Sequence, residues 1–272
     1  MSIHEAQSTT TETAPPTITL FTQERRQHIA AILEKQQRVT VLELSQQFSV
    51  SEVTIRKDLA WLEEHHVAVR THGGAVLATP TATEMGFEVR ERLQQSEKER
   101  IGAAAARLIQ DGDTISLDAS TTSQAVAHFL KEKRELTVVT NGLRIGIELI
   151  ANPGISVLIP GGMLRQESFS LIGTWGTAIL ERVHIKTAIV GARGFTFAEG
   201  LTDVNSGEIE LKRTIVEMAK EVIAVIDSSK WQQVAFATFC PLNRITTIIT
   251  DIQAPQEMVE QVRAAGVEVI LV

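Results

Sequence analysis

Five short stretches of this 272-residue chain carry groups suited to holding or converting a small anionic molecule. The first is Asp118-Ala119-Ser120-Thr121-Thr122, which lies between the apolar run TISL and the helical run QAVAHFL. Backbone N–H groups at the start of such a helix, with three hydroxyls beside them, make a cradle for phosphate. Thr140-Asn141-Gly142 and Gly161-Gly162, the latter followed by Arg165, have the same small and polar character. Asp227-Ser228-Ser229-Lys230 adds a lysine able to neutralise a phosphate. Any one of these reads equally well as ordinary helix capping. Four of them, each after an apolar run, point to a small anionic ligand. The fifth stretch is Gly200 to Asn205 with Glu208 and Lys212. Glu208 and Lys212 are four residues apart and share a helix face. They are either an exposed ion pair or contacts to sugar hydroxyls, with Asp203 and Glu208 accepting and Lys212 donating.

The same trio bears on catalysis. Aldose–ketose isomerisation needs a positioned carboxylate base and a group that stabilises the enediolate. Asp203, Glu208 and Lys212 are the residues available for those roles. Metal chemistry finds little support: His65 and His66 are adjacent, and His72, His128 and His184 show no ligand spacing with Cys or acids. The lone Cys240 forms no internal disulfide and reads as a core thiol.

The elements that must position these groups follow from the hydrophobic pattern. TISLDAS, LTVVTN, ISVLIPGG, TAIVGA, EVIAVIDSS, ITTIITD and VEVILV are short, β-rich and almost continuously apolar. Helical patterns lie between them, among them TTSQAVAHFLKEK and GEIELKRTIVEMAKE. This alternation predicts an α/β domain with a parallel sheet covered on both faces. Ligands bind such sheets beyond the C-terminal ends of the strands, where the polar stretches fall.

The segment from Val39 to Ala75 follows a different plan. Leu42, Leu44 and Phe48 put apolar groups on one side of a short helix, and Ser49-Val50 breaks it. Ser51 is a good N-cap for a second helix, whose Ile55, Leu59 and Leu62 form a buried stripe. Thr54, Arg56 and Lys57 sit off that stripe near the helix start, where helix-turn-helix proteins meet base edges. Arg pairs bidentately with guanine, and Lys and Thr reach phosphates or bases. VAVRTHGGAV then predicts a two-stranded wing, with Arg70 and His72 placed for the phosphate backbone. A small helical hairpin with a solvated charged face is the alternative on pattern alone. Residues 22–78 hold seven Lys or Arg and seven Asp or Glu, so no basic surface is evident from the total. Glu52 and Asp58 are the acids expected to weaken non-specific DNA binding.

VSEVTIRKDLAWLE with VRTHGGA resembles the DNA-binding head of the DeoR family of bacterial repressors. The resemblance continues through LDASTT, VVTN, IPGG and IDSSK, which are similar to that family's effector domain. It implies a winged helix-turn-helix domain joined to an α/β domain similar to ribose-5-phosphate isomerase. It also implies operator DNA and a phosphorylated sugar as partners, and a homo-oligomer, dimer or tetramer. Ser120 departs from the pattern, because the family usually has Gly before the paired threonines. The isomerase's G-A-D-E and K-G-G-G segments are not found, which favours a sensor over an active isomerase. The ending AGVEVILV looks closest to the family's repressors of amino-sugar catabolism.

The expected organisation is a disordered tail at 1–20, a head at 21–77, a connector at 78–95 and an effector domain at 96–272. The net charge of −7 lies outside the head, which discourages DNA from adhering elsewhere. A 43% apolar composition supports a sizeable core. No apolar run reaches the roughly 18 residues of a membrane helix. The polar N-terminus and single cysteine suit the cytoplasm. No cofactor is expected.

Overall fold

The computed structural model describes residues 22–64, 67–71, 73–77 and 85–272. The tail at 1–20, His65, His66, His72 and the first part of the connector lie outside the described residues. The chain divides into two compact units, the first ending at Leu77.

The first unit contains α1 (Thr22–Gln36), β1 (Arg38–Thr40), α2 (Val41–Gln47), α3 (Glu52–Glu64), β2 (Ala68–Thr71) and β3 (Gly74–Leu77). Its strands form an antiparallel sheet in the order β1-β3-β2. The wing therefore has a third strand, beyond the two its sequence predicts. Gly74 is required there, since a Cβ would lie 1.9 Å from the Val39 carbonyl oxygen. Thr40 closes a capping box with Glu43: the hydroxyl accepts the Glu43 N–H and the carboxylate accepts the Thr40 N–H, each at 3.2 Å. This cap sets the helical phase so that Val41 and Leu44 are buried while Leu42 faces out, correcting the predicted inward position of Leu42. On α3, Ile55, Leu59 and Leu62 are buried as their spacing predicts. Asp58 joins them, which overturns its assignment as a surface acid. Its carboxylate is held by Arg25 Nε at 2.7 Å and Arg26 Nε at 2.8 Å, both from α1.

The second unit begins with α4 (Phe87–Arg92) and α5 (Gln95–Leu108). It continues with β4 (Thr114–Leu117), α6 (Thr121–His128), β5 (Leu136–Thr140), α7 (Leu143–Leu149) and β6 (Ile155–Leu158). A hairpin, β7 (Met163–Arg165) and β8 (Ser170–Ile172), leads to α8 (Thr177–Leu180) and β9 (Thr187–Val190). Then come β10 (Gly194–Thr196), β11 (Gly200–Asp203), α9 (Ser206–Met218) and β12 (Glu221–Val225). The chain ends with β13 (Ala237–Cys240), β14 (Thr247–Thr250), α10 (Gln256–Ala264) and β15 (Glu268–Leu271). Seven strands form a parallel sheet in the order β15-β14-β12-β9-β4-β5-β6. They are the seven apolar runs singled out from the sequence. Side chains alternate between two cores: Val222 and Ala224 of β12 face one with α9 and α10, and Ile223 and Val225 the other with α5 and α6. That two-sided burial is why these strands read as continuous apolar runs. The antiparallel sheet β10-β11-β13 and the β7–β8 hairpin are additions that the sequence did not announce. Among the described residues no helix is long and apolar enough to cross a membrane.

Candidate functional site

The sheet order reverses between β4 and β9, and ligands of open α/β sheets occupy such a switch point. Asp118 follows β4 there and is buried. Its Oδ1 accepts the Ser120 hydroxyl at 2.8 Å, the Ser123 hydroxyl at 2.5 Å and the Gly191 N–H, from the end of β9, at 3.1 Å. Its Oδ2 meets Lys212 Nζ at 2.7 Å. Lys212 also reaches Asp203 Oδ2 at 2.6 Å and donates to the Gly191 carbonyl at 3.0 Å. Lys212 thus donates two hydrogen bonds, to Asp203 and to the Gly191 carbonyl, and meets Asp118 as an ion pair. Burial alone would lower the Lys212 pKa, but Asp118 and Asp203 hold it above the ordinary lysine range. Burial likewise pushes Asp203 up, yet Lys212 and Arg193 bring its carboxyl below the usual range. Ser120 caps α6 by accepting the Ser123 N–H at 3.1 Å, and Thr121 and Thr122 form the buried first turn.

A second group lies at the end of β5. Thr140 Oγ1 accepts the Gly142 N–H at 3.0 Å. Asn141 is clasped by β8: its carbonyl accepts the Leu171 N–H at 2.8 Å and its amide donates to Leu171 O at 3.3 Å. Asn141 Oδ1 is buried without a hydrogen-bond partner among the described residues. Glu208, one turn before Lys212, points to this group. Its Oε1 accepts from Arg165 Nη1 at 2.7 Å and from the Ser168 and Ser170 hydroxyls, each at 2.6 Å. Glu208 and Lys212 are therefore both buried on one helix face, each with its own partners, and do not form the exposed ion pair that spacing allowed. Gly161 and Gly162 open the hairpin that carries Arg165, with φ of +88° and +130°. At Gly162 a Cβ would lie 2.3 Å from Ile172 O, so only glycine fits.

A third group follows β12. Asp227 caps a short 3-10 turn, accepting the Ser229 N–H at 3.1 Å. Burial raises its carboxyl, but Lys230 and Lys98 outweigh that and leave it below the usual range. Asp251, after β14, accepts the Ser228 N–H at 2.6 Å. Lys230 is half-buried within this group, whereas the Asp118 and Glu208 groups are linked through α9. Sequence reasoning missed Ser168, Ser170, Gly191 and Arg193. Nothing local signals them, since each acts through a residue distant in the chain. Cys240 is buried in the core, and burial, against Arg244, pushes its thiol up to about 12. Among the described residues no cluster of His, Cys, Asp and Glu is arranged to hold a metal ion.

On the first unit, Ser51 accepts the Thr54 N–H at 3.2 Å and caps α3. Arg56 and Lys57 are exposed on its first turns, and Arg56 pairs with Glu52 at 2.8 Å. Arg70, exposed on β2, lies 3.8 Å from Glu63. Arg26 stacks over Trp61, 4.8 Å from the ring centre, and fastens α1 to α3. Helix, turn, helix and three-stranded wing together make the first unit a winged helix-turn-helix, and the second unit is an α/β domain.

Comparison with known proteins agrees. Residues 25–81 match the DeoR-like helix-turn-helix domain, and residues 93–252 match the DeoR C terminal sensor domain. The chain belongs to the DeoR family of transcriptional regulators. It is 38% identical to the HTH-type transcriptional regulator GolR of Listeria innocua serovar 6a, over 92% of this chain and 98% of that one. It is 30% identical to the glycerol-3-phosphate regulon repressor of Escherichia coli strain K12, over 87% and 94%. Among solved structures, ribose 5-phosphate isomerase A of Methanocaldococcus jannaschii overlaps 51% of this chain and 55% of its own, at a TM-score of 0.38 and 16% identity, a distant likeness.

Proposed function

We propose that this regulator represses a carbohydrate-metabolism operon in the cytoplasm and is controlled by a phosphorylated sugar bound at the strand ends of its second unit. Ser51, Thr54, Arg56, Lys57, Arg70 and His72 would face the operator. Thr121 and Thr122, Thr140 to Gly142, Gly161, Gly162 and Lys230 would surround the effector, with the phosphate toward the first turn of α6. Asp118, Ser120, Asp203, Glu208 and Lys212 would hold that surface in shape. Amino-sugar phosphates are the narrower expectation. The name of the glycerol-3-phosphate regulon repressor supports a small phosphorylated effector.

The observation that carries sensing over isomerisation is the closed network around Lys212. An amine enclosed by two carboxylates and a carbonyl, held above its ordinary range, is a poor acid, and a carboxylate held below its range is a poor base. Such a site suits binding.

A homo-oligomer is part of this reading. Ile147 of α7, Ile150 just after it, Met163 and Leu164 of β7, and Trp175, 89% exposed, present apolar groups to solvent. Gly146, beside Ile147, packs against Ile159, and Gly176, beside Trp175, packs against Pro160. Such a ridge suits pairing of copies, which presents two heads to two half-sites.

Fluorescence anisotropy on DNA from upstream of the gene tests the reading. The titrants are glucose 6-phosphate, fructose 6-phosphate, glucosamine 6-phosphate and ribose 5-phosphate, each beside its free sugar. Sequence-specific binding altered by one phosphorylated sugar alone is the expected result. Turnover of any of these compounds in a coupled isomerase assay would instead favour the enzyme.

A further inference from the structure

The β7–β8 hairpin touches two things at once. On one side it builds the second strand-end group: Leu171 clasps Asn141, Phe169 O accepts the Leu143 N–H at 2.9 Å, and Arg165, Ser168 and Ser170 converge on Glu208. On the other side it holds α4, the part of the connector that the structure describes. The Phe169 ring meets the Phe87 ring edge-on at 6.0 Å. The Arg144 guanidinium lies over both rings, 4.2 Å from Phe169 and 4.8 Å from Phe87, and pairs with Glu88 at 3.0 Å and Glu91 at 3.6 Å. Arg90 of α4 donates to the Glu167 carbonyl at the hairpin tip, at 3.4 Å.

Two details single out Phe169. Its φ is +50°, a left-handed conformation disfavoured for a bulky side chain, which persists only where surroundings enforce it. Its backbone faces the Asn141–Leu143 step while its ring faces α4. A shift of the first is therefore a shift of the second. Lys98 fastens the far end of α4, donating to the carbonyls of Arg90 and Leu93. Its charge also acts on Asp227 in the third strand-end group. The connector helix is thus held by the hairpin through Phe87 and Arg90 and by Lys98 at its C-terminal end.

We propose that the β7–β8 hairpin is the transmission element of the sensor, with the Phe169–Phe87 contact as its joint. The inference rests on the sensing role proposed above. A sugar phosphate seated beside Asn141 and Glu208 changes the hairpin's position. The hairpin carries α4 with it, and α4 carries the change into the chain that leads to the DNA-binding unit. Phe169 is then a positioning residue: it sets how strongly effector and DNA binding are linked, not how well either binds alone.

The experiment measures that link in the full chain. DNA affinity is read by anisotropy with and without each of the four sugar phosphates, and sugar-phosphate affinity by calorimetry. The ratio of DNA affinities for the wild type should fall in the roughly 5- to 150-fold range of ordinary allosteric couplings. Phe169→Ala and, from the connector side, Phe87→Leu should bring the ratio below about 2-fold. Both variants should keep sugar-phosphate affinity and ligand-free DNA affinity close to wild type. Phe169→Tyr, which preserves the edge contact, should restore the ratio. A wild type that responds beside variants that respond equally overturns the hairpin's role and leaves sensing intact. Loss of sugar-phosphate affinity in step with the ratio reduces Phe169 to a site-shaping residue and also overturns it. A wild type unmoved by every sugar phosphate overturns the sensing role and the hairpin with it.

Discussion

Lys212 is the residue on which most of the site's geometry converges, and its removal has a definite signature. Lys212→Met leaves Asp118 and Asp203 buried without their shared cation. Breaking a buried pair from one side costs about 3–5 kcal/mol, read by urea denaturation. The pH dependence separates this from simple loss of packing. In the wild type, Asp203 has a lowered folded pKa. Its contribution is therefore present above the ordinary carboxylate range and lost as pH falls through the lowered value. Lys212 has a raised one, so its contribution is present below the ordinary lysine range and lost only as pH rises through the raised value. Neither changes near neutrality. In the variant the uncompensated carboxylates favour protonation, so the gap to wild type should narrow from pH 8 to pH 5. A gap that stays constant would mean the methionine is merely a poor fit. Two further substitutions test the division of labour. Arg56→Ala should weaken operator binding by about 1–3 kcal/mol and leave sugar-phosphate affinity unchanged. The exposed Glu52 pair it breaks is worth little by itself. Lys230→Ala should do the reverse. If it responds to sugar phosphate like the parent, Lys230 is not part of the phosphate site.

At the scale of elements, Ser120 stands at the start of α6, and the helix explains what the serine does. Its hydroxyl accepts the Ser123 N–H and donates to Asp118, so it is a cap and a brace of the strand-end acid. Ser120→Ala should cost about 1 kcal/mol, whereas Ser120→Gly should cost a few tenths. Thermal denaturation of the two variants orders them. Losses well beyond these in both variants would show that the hydroxyl's brace of Asp118 adds to the cap, since both remove it. The serine was visible in the sequence, but this dual role was not, because Asp118 has to be brought back over Ser120 by the turn. The same contrast holds along the chain. Seven parallel strands were legible because burial on both faces writes continuous apolar runs. The hairpin Met163–Ile172 was not: its strands have three residues each, and Met163 and Leu164 are exposed. The strand β1 was hidden in the same way, as RVT is too short to show alternation. Leu42 was misplaced because the Thr40–Glu43 capping box sets a phase that an apolar count does not reveal. Asp58 looked like a surface acid because its partners, Arg25 and Arg26, lie more than thirty residues earlier. Glu208 and Lys212 were found by spacing, but their partners were not.

For the whole molecule the deciding quantity is how many heads reach the DNA together. One helix-turn-helix head contacts a single half-site, so tight operator binding requires a second head held at the spacing of one helical turn. Joining two weak contacts makes the second effectively intramolecular and raises affinity by about 10²- to 10⁴-fold without any new contact. The apolar ridge around Trp175 is the surface proposed for that joining. A standard interface buries about 800 Å² on each partner, and an indole supplies up to about 250 Å² of it. Trp175→Glu places a charge on that surface. Because Trp175 is exposed, the substitution should leave the fold of each copy, and its thermal stability at low concentration, nearly unchanged. Sedimentation equilibrium should show a lighter species. Affinity for the full operator should fall toward that for an isolated half-site, while half-site affinity stays as it was. Should the variant sediment and bind like the wild type, the copies pair through another face and Trp175 must be explained otherwise. Should both affinities fall together, the substitution has damaged the head or the fold rather than the pairing. The comparison of full site with half-site therefore separates assembly from recognition, which a single binding constant cannot do.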